Sequence, residues 1–344
     1  MAETDKSPLI VEDRVEAFLD AHGLGEGPIV ATRIGDGGGS NFTFLIERGA
    51  ERYVLRRPPR PPLPPTAHDM VREANLQDAI RDAGFTRLAE LLAVCEDESV
   101  LGVPFYVTRY IDGHVITQTL PSGIDRRRLG EDLVDTLVEI HAADVTTPKL
   151  AAFARPGSYA ERQVKRFAQL WELNKTRELP AVDEVAATLA RDLPAPLPPT
   201  VVHGDFRLGN MMVAREEPTR IEAVLDWEMG AIGDPRADVG YLLATYSEPG
   251  GARNPLGTSP VTAEPGFPSR TQLAQRYEEK SGRDVGPLAW FEALALWKAA
   301  VFCEAIYGRY IRGELGAEDT LAARFEDGVP LLAETALERL GNRP

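Results

Sequence analysis

Between Asn210 and Asp226 the chain reads MMVAREEPTRIEAVL, two short apolar runs on either side of a polar stretch containing Pro218. Runs of this length around a turn-forming segment pair as an antiparallel hairpin. Closure of that hairpin carries Asn210 back beside Asp226, although the two are sixteen positions apart in sequence. A carboxamide oxygen and a carboxylate side by side are hard oxygen ligands. They suit Mg²⁺, which takes a few protein ligands and completes its shell with phosphate oxygens and water. Asp205, five positions before Asn210, is then close enough to accept a proton from an attacking hydroxyl. It lies in VVHGDFRLGNMMV (201–213), an apolar run interrupted by four polar side chains. In isolation that string also reads as a polar turn between two strands.

Periodicity divides the rest of the chain. Val11, Val15, Phe18 and Leu19 repeat at helical spacing and stop at Gly23. A glycine cluster (37–39) then runs into an alternating strand with Phe42, Phe44 and Ile46 on one face, and RYVLR (52–56) reads as its returning partner. PPRPPLPP (58–65) forbids regular hydrogen bonding and is expected to be a stiff extended connector. A helical pattern from His68 to Ala83 ends at Gly84, and Val100–Gly113 suggests strands followed by a linker. Beyond Asp125 helices dominate: Arg128–His141, Tyr159–Lys175, Val182–Arg191, Arg270–Lys280, Pro287–Tyr310 and Glu318–Leu340. Strands first and helices later predict an α+β chain of two lobes, residues 1–112 and 113–344.

The balance of charges narrows the function. A formal net charge of −15, with no basic run, argues against a nucleic-acid partner, since phosphates call for a positive stripe. The apolar segment Pro287–Gly308 carries Glu292, Lys298 and Glu304, so a buried helix is expected in place of a membrane span. The acidic start MAETDKSPLI does not fit a secretion signal, which points to the cytoplasm. Cys95 and Cys303 stand far apart without metal-spaced partners and read as buried thiols.

With HGDFRLGN (203–210), LDWE (225–228), GDPRAD (233–238), GGGSNFTF (37–44), YVLRRPP (53–59) and FYVTRYIDG (105–113) in view, the chain resembles the aminoglycoside phosphotransferase and choline kinase family. HGDFRLGN matches that family's HGDxxxxN loop, which parallels the HRDxxxxN loop of protein kinases. The Pro-rich connector, AERQVKRF (160–167) and VLDWEMGAIGDPRADVGYLL (224–243) are closest to the branch associated with acyl-CoA dehydrogenases, some of whose members phosphorylate hydroxyacyl-CoA thioesters.

The resemblance implies a protein-kinase-like fold in which residues 1–112 form a nucleotide-binding lobe ending in a hinge, and residues 113–344 a helical catalytic and acceptor-binding lobe. It implies transfer of the γ-phosphoryl group of ATP, with Mg²⁺, to a hydroxyl of a small molecule. Asp205 would be the catalytic base, Arg207 would stabilise the transferring group, and Asn210 and Asp226 would hold the metal. Gly37, Gly38, Gly39, Ser40 and Asn41 would cover the triphosphate. Arg56 stands where the family usually has a Lys gripping the α and β phosphates, with Glu73 as its ion partner, and Arg57 is the alternative. The linker around Arg109 and Ile111 would meet adenine through its backbone.

His203, Asp234 and Asp238 read as structural braces of the catalytic loop, and His22, His68, His114 and His141 as surface or capping residues. The acceptor stays open between a hydroxyacyl-CoA and an aminoglycoside-type antibiotic; Arg162, Lys165 and Arg166 would suit the phosphates of the former. Two other classes stand beside the kinase: a nucleotide-binding pseudokinase and a metal-dependent hydrolase using His203, Asp205 and Asp226. No oligomeric state follows from the sequence.

Overall fold

The computed structural model describes residues 8–35, 41–60, 68–250, 256, 258–286, 288–314 and 320–341. The chain divides into two compact units, Met1–Asp112 and Gly113–Pro344.

The first unit is an antiparallel sheet of β1 (Ile29–Ile34), β2 (Phe42–Arg48), β3 (Glu51–Arg57), β4 (Leu91–Cys95) and β5 (Phe105–Arg109), in the order β1-β2-β3-β5-β4. Arg48 pairs with Glu51 at the β2–β3 turn, where Gly49 takes the positive φ (58°) that a two-residue hairpin loop needs. In β3 the alternation is decisive: Tyr53, Leu55 and Arg57 are buried on one face, while Val54 and Arg56 are half-buried on the other. Helix α1 (Glu12–Ala21) buries Val15 and Leu19 against Phe44, Ile46, Leu55 and Phe105. Helix α2 (Met70–Asp82) starts where the Asp69 side chain accepts the Arg72 N–H, and it buries a carboxylate, Glu73. A short α3 (Glu98–Leu101) completes the unit. Strands β1 and β4 were not expected from the sequence. Strand β1 leaves most of its positions exposed or half-buried, and β4 is the uniformly apolar LLAVC, so neither shows a clean apolar–polar alternation in sequence.

In the second unit β6 (Gly113–Val115), β8 (Met211–Ala214) and β9 (Ile221–Val224) form a three-stranded sheet, and β7 (Thr200–Val202) pairs with β10 (Ala231–Gly233). The helices are α4 (Arg126–His141), α5 (Pro148–Ala151), α6 (Tyr159–Asn174), α7 (Pro180–Arg191), α8 (Arg236–Thr245), α9 (Arg270–Ser281), α10 (Leu288–Ile311), α11 (Thr320–Ala323) and α12 (Phe325–Gly341). Helix α10 is apolar around most of its circumference and is correspondingly central. Its Trp290, Leu294, Trp297 and Val301 pack with Phe167 and Trp171 of α6, Val185 of α7 and Leu332 of α12. Glu304 within it is fully buried but satisfied, accepting from the Thr176 N–H (3.1 Å), the Thr176 hydroxyl (2.5 Å) and the Arg177 guanidinium (3.1 Å). No described helix is long and apolar enough to cross a membrane. The expected terminal helix Glu318–Leu340 is broken at Arg324 into α11 and α12, and α8 had not been anticipated at all. Cys95 is buried as expected, whereas Cys303 is only half-buried.

Candidate active site

The hairpin closes as its sequence requires. Met211 faces Val224, Met212 faces Ala223, and the Leu225 N–H donates to the Asn210 carbonyl (2.8 Å). Asn210 therefore sits across from Leu225, with Asp226 the next residue. Asp226 takes a left-handed conformation (φ 66°, ψ 68°) that turns the chain out of β9 into the 3-10 turn Trp227–Met229. Asp tolerates that region better than most side chains.

Asp205 is presented by a second turn. Gly204 has φ +85°, and a Cβ on it would lie 2.8 Å from the Met229 Cβ and 2.9 Å from the Met229 carbonyl, so only glycine fits. The Asp205 carboxylate then collects donors. Asn210 Nδ2 reaches Oδ2 at 2.7 Å and also the Asp205 carbonyl at 2.9 Å; Arg207 Nε reaches Oδ1 at 3.2 Å. The Tyr241 hydroxyl of α8 donates to the same carboxylate, and burial together with the Asp205 charge pushes the phenol pKa well up. Because both contacts of the Asn210 amide nitrogen are to oxygens of Asp205, its Oδ1 is turned the other way.

His203 ties the two turns together. Its Nδ1 accepts the Asp205 N–H (3.1 Å), which leaves the proton on Nε2, and Nε2 donates to the Leu225 carbonyl (2.9 Å). One ring thus fixes the backbone of Asp205 against the residue preceding Asp226. Beneath it the fully buried Asp238 accepts the N–H groups of His203 (2.7 Å) and Gly204 (2.8 Å) and the Nε2–H of His141 (3.2 Å). Burial alone would raise the Asp238 pKa. The hydrogen bond from His141 and the Gly204 N–H, with the electrostatic influence of the two imidazoles, outweigh it and hold the carboxyl below its ordinary value. Asp234 pairs through both oxygens with Arg236, both residues 4% exposed. His141 is a correction: the expected surface or capping residue is buried, bonded to Asp238 and to the Tyr277 hydroxyl (2.7 Å).

In the first unit Arg56 Nε lies 3.3 Å from Glu73 Oε1, the ion pair expected from the sequence. The Tyr106 hydroxyl donates to the same Glu73 oxygen at 2.9 Å and holds it in place. Arg57 points to the other face, where its guanidinium donates to the backbone carbonyls of Leu9, Pro58 and Leu101. Burial, aided by the charge of Arg60, lowers its pKa to about 10. The two arginines should therefore separate on substitution by their effect on nucleotide. On the role expected of it, Arg56→Ala raises the KM for ATP about tenfold or more, and it also costs stability because the buried Glu73 carboxylate loses its cation. Arg57→Ala is expected to destabilise the fold by about 1–3 kcal/mol, leaving carbonyls unpaired, without a specific effect on nucleotide. Steady-state kinetics and denaturant melts on both variants check this.

Among the remaining expected residues, Gly37, Gly38, Gly39 and Ser40 lie outside the described residues. Asn41 Oδ1 is bonded to His68 Nδ1 (2.9 Å). Arg109 pairs with Glu90 at the surface (2.7 Å), and its N–H already donates to the Glu90 carbonyl (2.9 Å). Ile111 lies just past the end of β5, outside the sheet ladder. Tyr241 was missed: it sits in the apolar string VGYLL, and only its place one helical turn after Asp238 could have signalled it.

For a divalent cation the donor set is sparse but of the right kind. Among the described residues no group of three or more His, Cys, Asp or Glu side chains could hold a metal by itself. Asn210 Oδ1 and the Asp226 carboxylate are hard oxygens, and an ion on them would need outside oxygens to fill its shell, which fits Mg²⁺ carried by a nucleotide.

Comparison with known proteins bears on the family and the fold. A model of a phosphotransferase enzyme family matches residues 31–259. Acyl-CoA dehydrogenase family member 11 of Mus musculus is 31% identical over 334 residues, covering 94% of this chain but 42% of its own length. The chain thus spans about two fifths of that relative. A Ralstonia eutropha JMP134 structure assigned to the aminoglycoside phosphotransferases is 27% identical with a TM-score of 0.78, covering 95% of this chain and 97% of its own. A thermostable form of aminoglycoside phosphotransferase APH(4)-Ia, in ternary complex with AMP-PNP and hygromycin B, shares the fold at 16% identity and TM-score 0.63, covering 96% and 99%. The kinase-like α+β fold expected from the sequence is the fold of these neighbours.

Proposed function

The chain belongs to the phosphotransferase enzyme family, and from that premise we propose that it moves the γ-phosphoryl group of ATP to a hydroxyl of a small molecule, with a hydroxyacyl-CoA as the acceptor. The observation that carries the reading is the Asp205 carboxylate, held at once by Asn210, Arg207 and Tyr241. A carboxylate fixed by three donors is suited to orient an incoming hydroxyl and take its proton as the new P–O bond forms. A loose phosphoryl-transfer transition state asks for that positioning more than for strong basicity.

Asn210 and Asp226 would hold Mg²⁺ by Oδ1 and carboxylate oxygens. When bound, the ion supplies charge neutralisation for the phosphate oxygens. Arg207, 3.2 Å from Asp205, would follow the charge of the group in transfer. In the first unit Arg56, braced by Glu73, would hold the α and β phosphates, and the glycines 37–39 with Ser40 and Asn41 would cover them. The backbone near Ile111 would meet the base, Arg109 taking part through its carbonyl since its N–H is engaged. Residues 1–112 serve the nucleotide on this reading, and residues 113–344 the chemistry and the acceptor.

Support for the acceptor class comes from the relatives named as acyl-CoA dehydrogenase family members. The test is a product scan by mass spectrometry with MgATP and three sets of alcohols: hydroxyacyl-CoAs, aminoglycosides and choline-like alcohols. A phosphoester on a hydroxyacyl-CoA is the expected product. Phosphorylated aminoglycoside alone would move the assignment to an antibiotic kinase, and nucleotide binding without turnover to a regulatory pseudokinase.

A further inference from the structure

Lys298 of α10 is 8% exposed, and among the described residues it has neither a hydrogen-bond nor an ion-pair partner. Its ammonium lies 4.9 Å from the centroid of the Phe167 ring, whose π face offsets only part of the desolvation. Burial and the nearby Arg166 lower its pKa to about 8, while Asp238 and Asp205 act in the opposite direction. The lysine therefore stands within electrostatic reach of the candidate base. Helix α10 also packs along α8, whose Tyr241 donates to Asp205.

The Lys298 stem is largely buried while its Nζ is not among the side-chain atoms sealed from solvent, so the ammonium stays open to an outside partner; a leucine or methionine would fill the same space without desolvating a charge. Glu304 on the same helix shows the contrast, since every contact it needs is supplied by Thr176 and Arg177. One and two turns beyond Lys298 the same face of α10 carries Phe302 and Ile306, 42% and 38% exposed, and the Phe302 ring meets Phe167 edge-on at 5.1 Å. The seam thus joins a cation near Asp205 to apolar surface.

We infer that Lys298 is an acceptor-binding residue: its ammonium takes an acyl oxygen, thioester carbonyl or carboxylate, of the molecule whose hydroxyl Asp205 orients. The inference rests on Asp205 meeting the acceptor hydroxyl, as proposed above. It also explains a preference. The positive charges of Lys298, Arg166 and Arg207 would repel the ammonium groups of an aminoglycoside but attract an oxygen-rich acyl group.

The probes are 3-hydroxybutyryl-CoA, 3-hydroxybutyrate and 1,3-butanediol, the last carrying the hydroxyl without an acyl oxygen. The full chain is labelled by reductive ¹³C-methylation of its six lysines, and the Lys298 resonance is assigned by its absence in Lys298→Met. The resonance is expected to move with one or both acyl compounds and to stay in place with the diol; which of the two moves it tells thioester from free acid. In kinetics Lys298→Met, which keeps the packing volume, is expected to raise the KM for the acyl acceptor about tenfold to a hundredfold, with the KM for ATP within about twofold and partial rescue in Lys298→Arg. No shift with either acyl compound overturns the inference, as does an equal shift with the diol. So does a Lys298 that resists methylation while the other lysines react, or an effect of the substitution confined to ATP. A shift without any phosphoryl transfer would leave Lys298 as a binding residue and count against the kinase reading instead.

Discussion

Asp205→Asn is expected to lower phosphoryl transfer about 10²- to 10⁴-fold while the chain still folds, with a modest drop in the thermal midpoint. The carboxylate now receives Asn210 Nδ2 on one oxygen, Arg207 Nε on the other and the Tyr241 hydroxyl. An amide of the same shape has one acceptor oxygen and one NH₂, so at least one of those donors would face another donor. The substituted side chain can neither accept the hydroxyl proton nor hold Arg207 by charge. The backbone frame around it does not depend on the carboxylate: the residue 205 N–H still meets His203 Nδ1, and Gly204 still meets Asp238. A variant that folds normally and keeps most of its kcat would remove Asp205 from the role proposed for it.

The second large effect is on stability. Asp238→Ala strips the acceptor from two backbone N–H groups and from the buried His141. A loss of about 3–5 kcal/mol is expected, read as a drop in the denaturant midpoint. Activity should fall with it, because the same bonds set the path of residues 203–205. The pH dependence has a definite sign. The folded-state pKa of Asp238 lies below its unfolded value, so its contribution is complete above the ordinary Asp range and is lost as the pH falls through the lower folded value. A variant as stable as the parent at pH 7 would show that the N–H groups find other acceptors.

Much of the candidate site's local geometry was legible because it depends on short-range rules. The apolar runs 211–214 and 221–224 fix a hairpin, and the hairpin fixes the neighbours of Asn210 and Asp226 whatever the rest of the chain does. Helix α8 was illegible for the opposite reason. It is buried on nearly every side, including Arg236 and Asp238, so it has no polar face to mark a 3.6-residue period. With it went Tyr241, and with Asp238 the reason that His141 is interior. Strand alternation placed Arg56 and Arg57 on opposite faces but could not say which face is covered; the carbonyls of Leu9 and Leu101, remote in sequence, decide it. Lys298 read only as a charge unsuited to a membrane span, since nothing local reveals that a long-range cluster leaves it unpaired.

The claim on which the rest depends is that Asn210 and Asp226 form one metal site beside, but separate in role from, Asp205. Titration of Mn²⁺ with AMP-PNP, followed by electron paramagnetic resonance, tests it in the parent chain, in Asp226→Ala and in Asp205→Asn. The account predicts that Asp226→Ala loses nucleotide-dependent Mn²⁺ binding about tenfold or more, while Asp205→Asn binds like the parent though it no longer turns over. Equal binding by Asp226→Ala and the parent would contradict it.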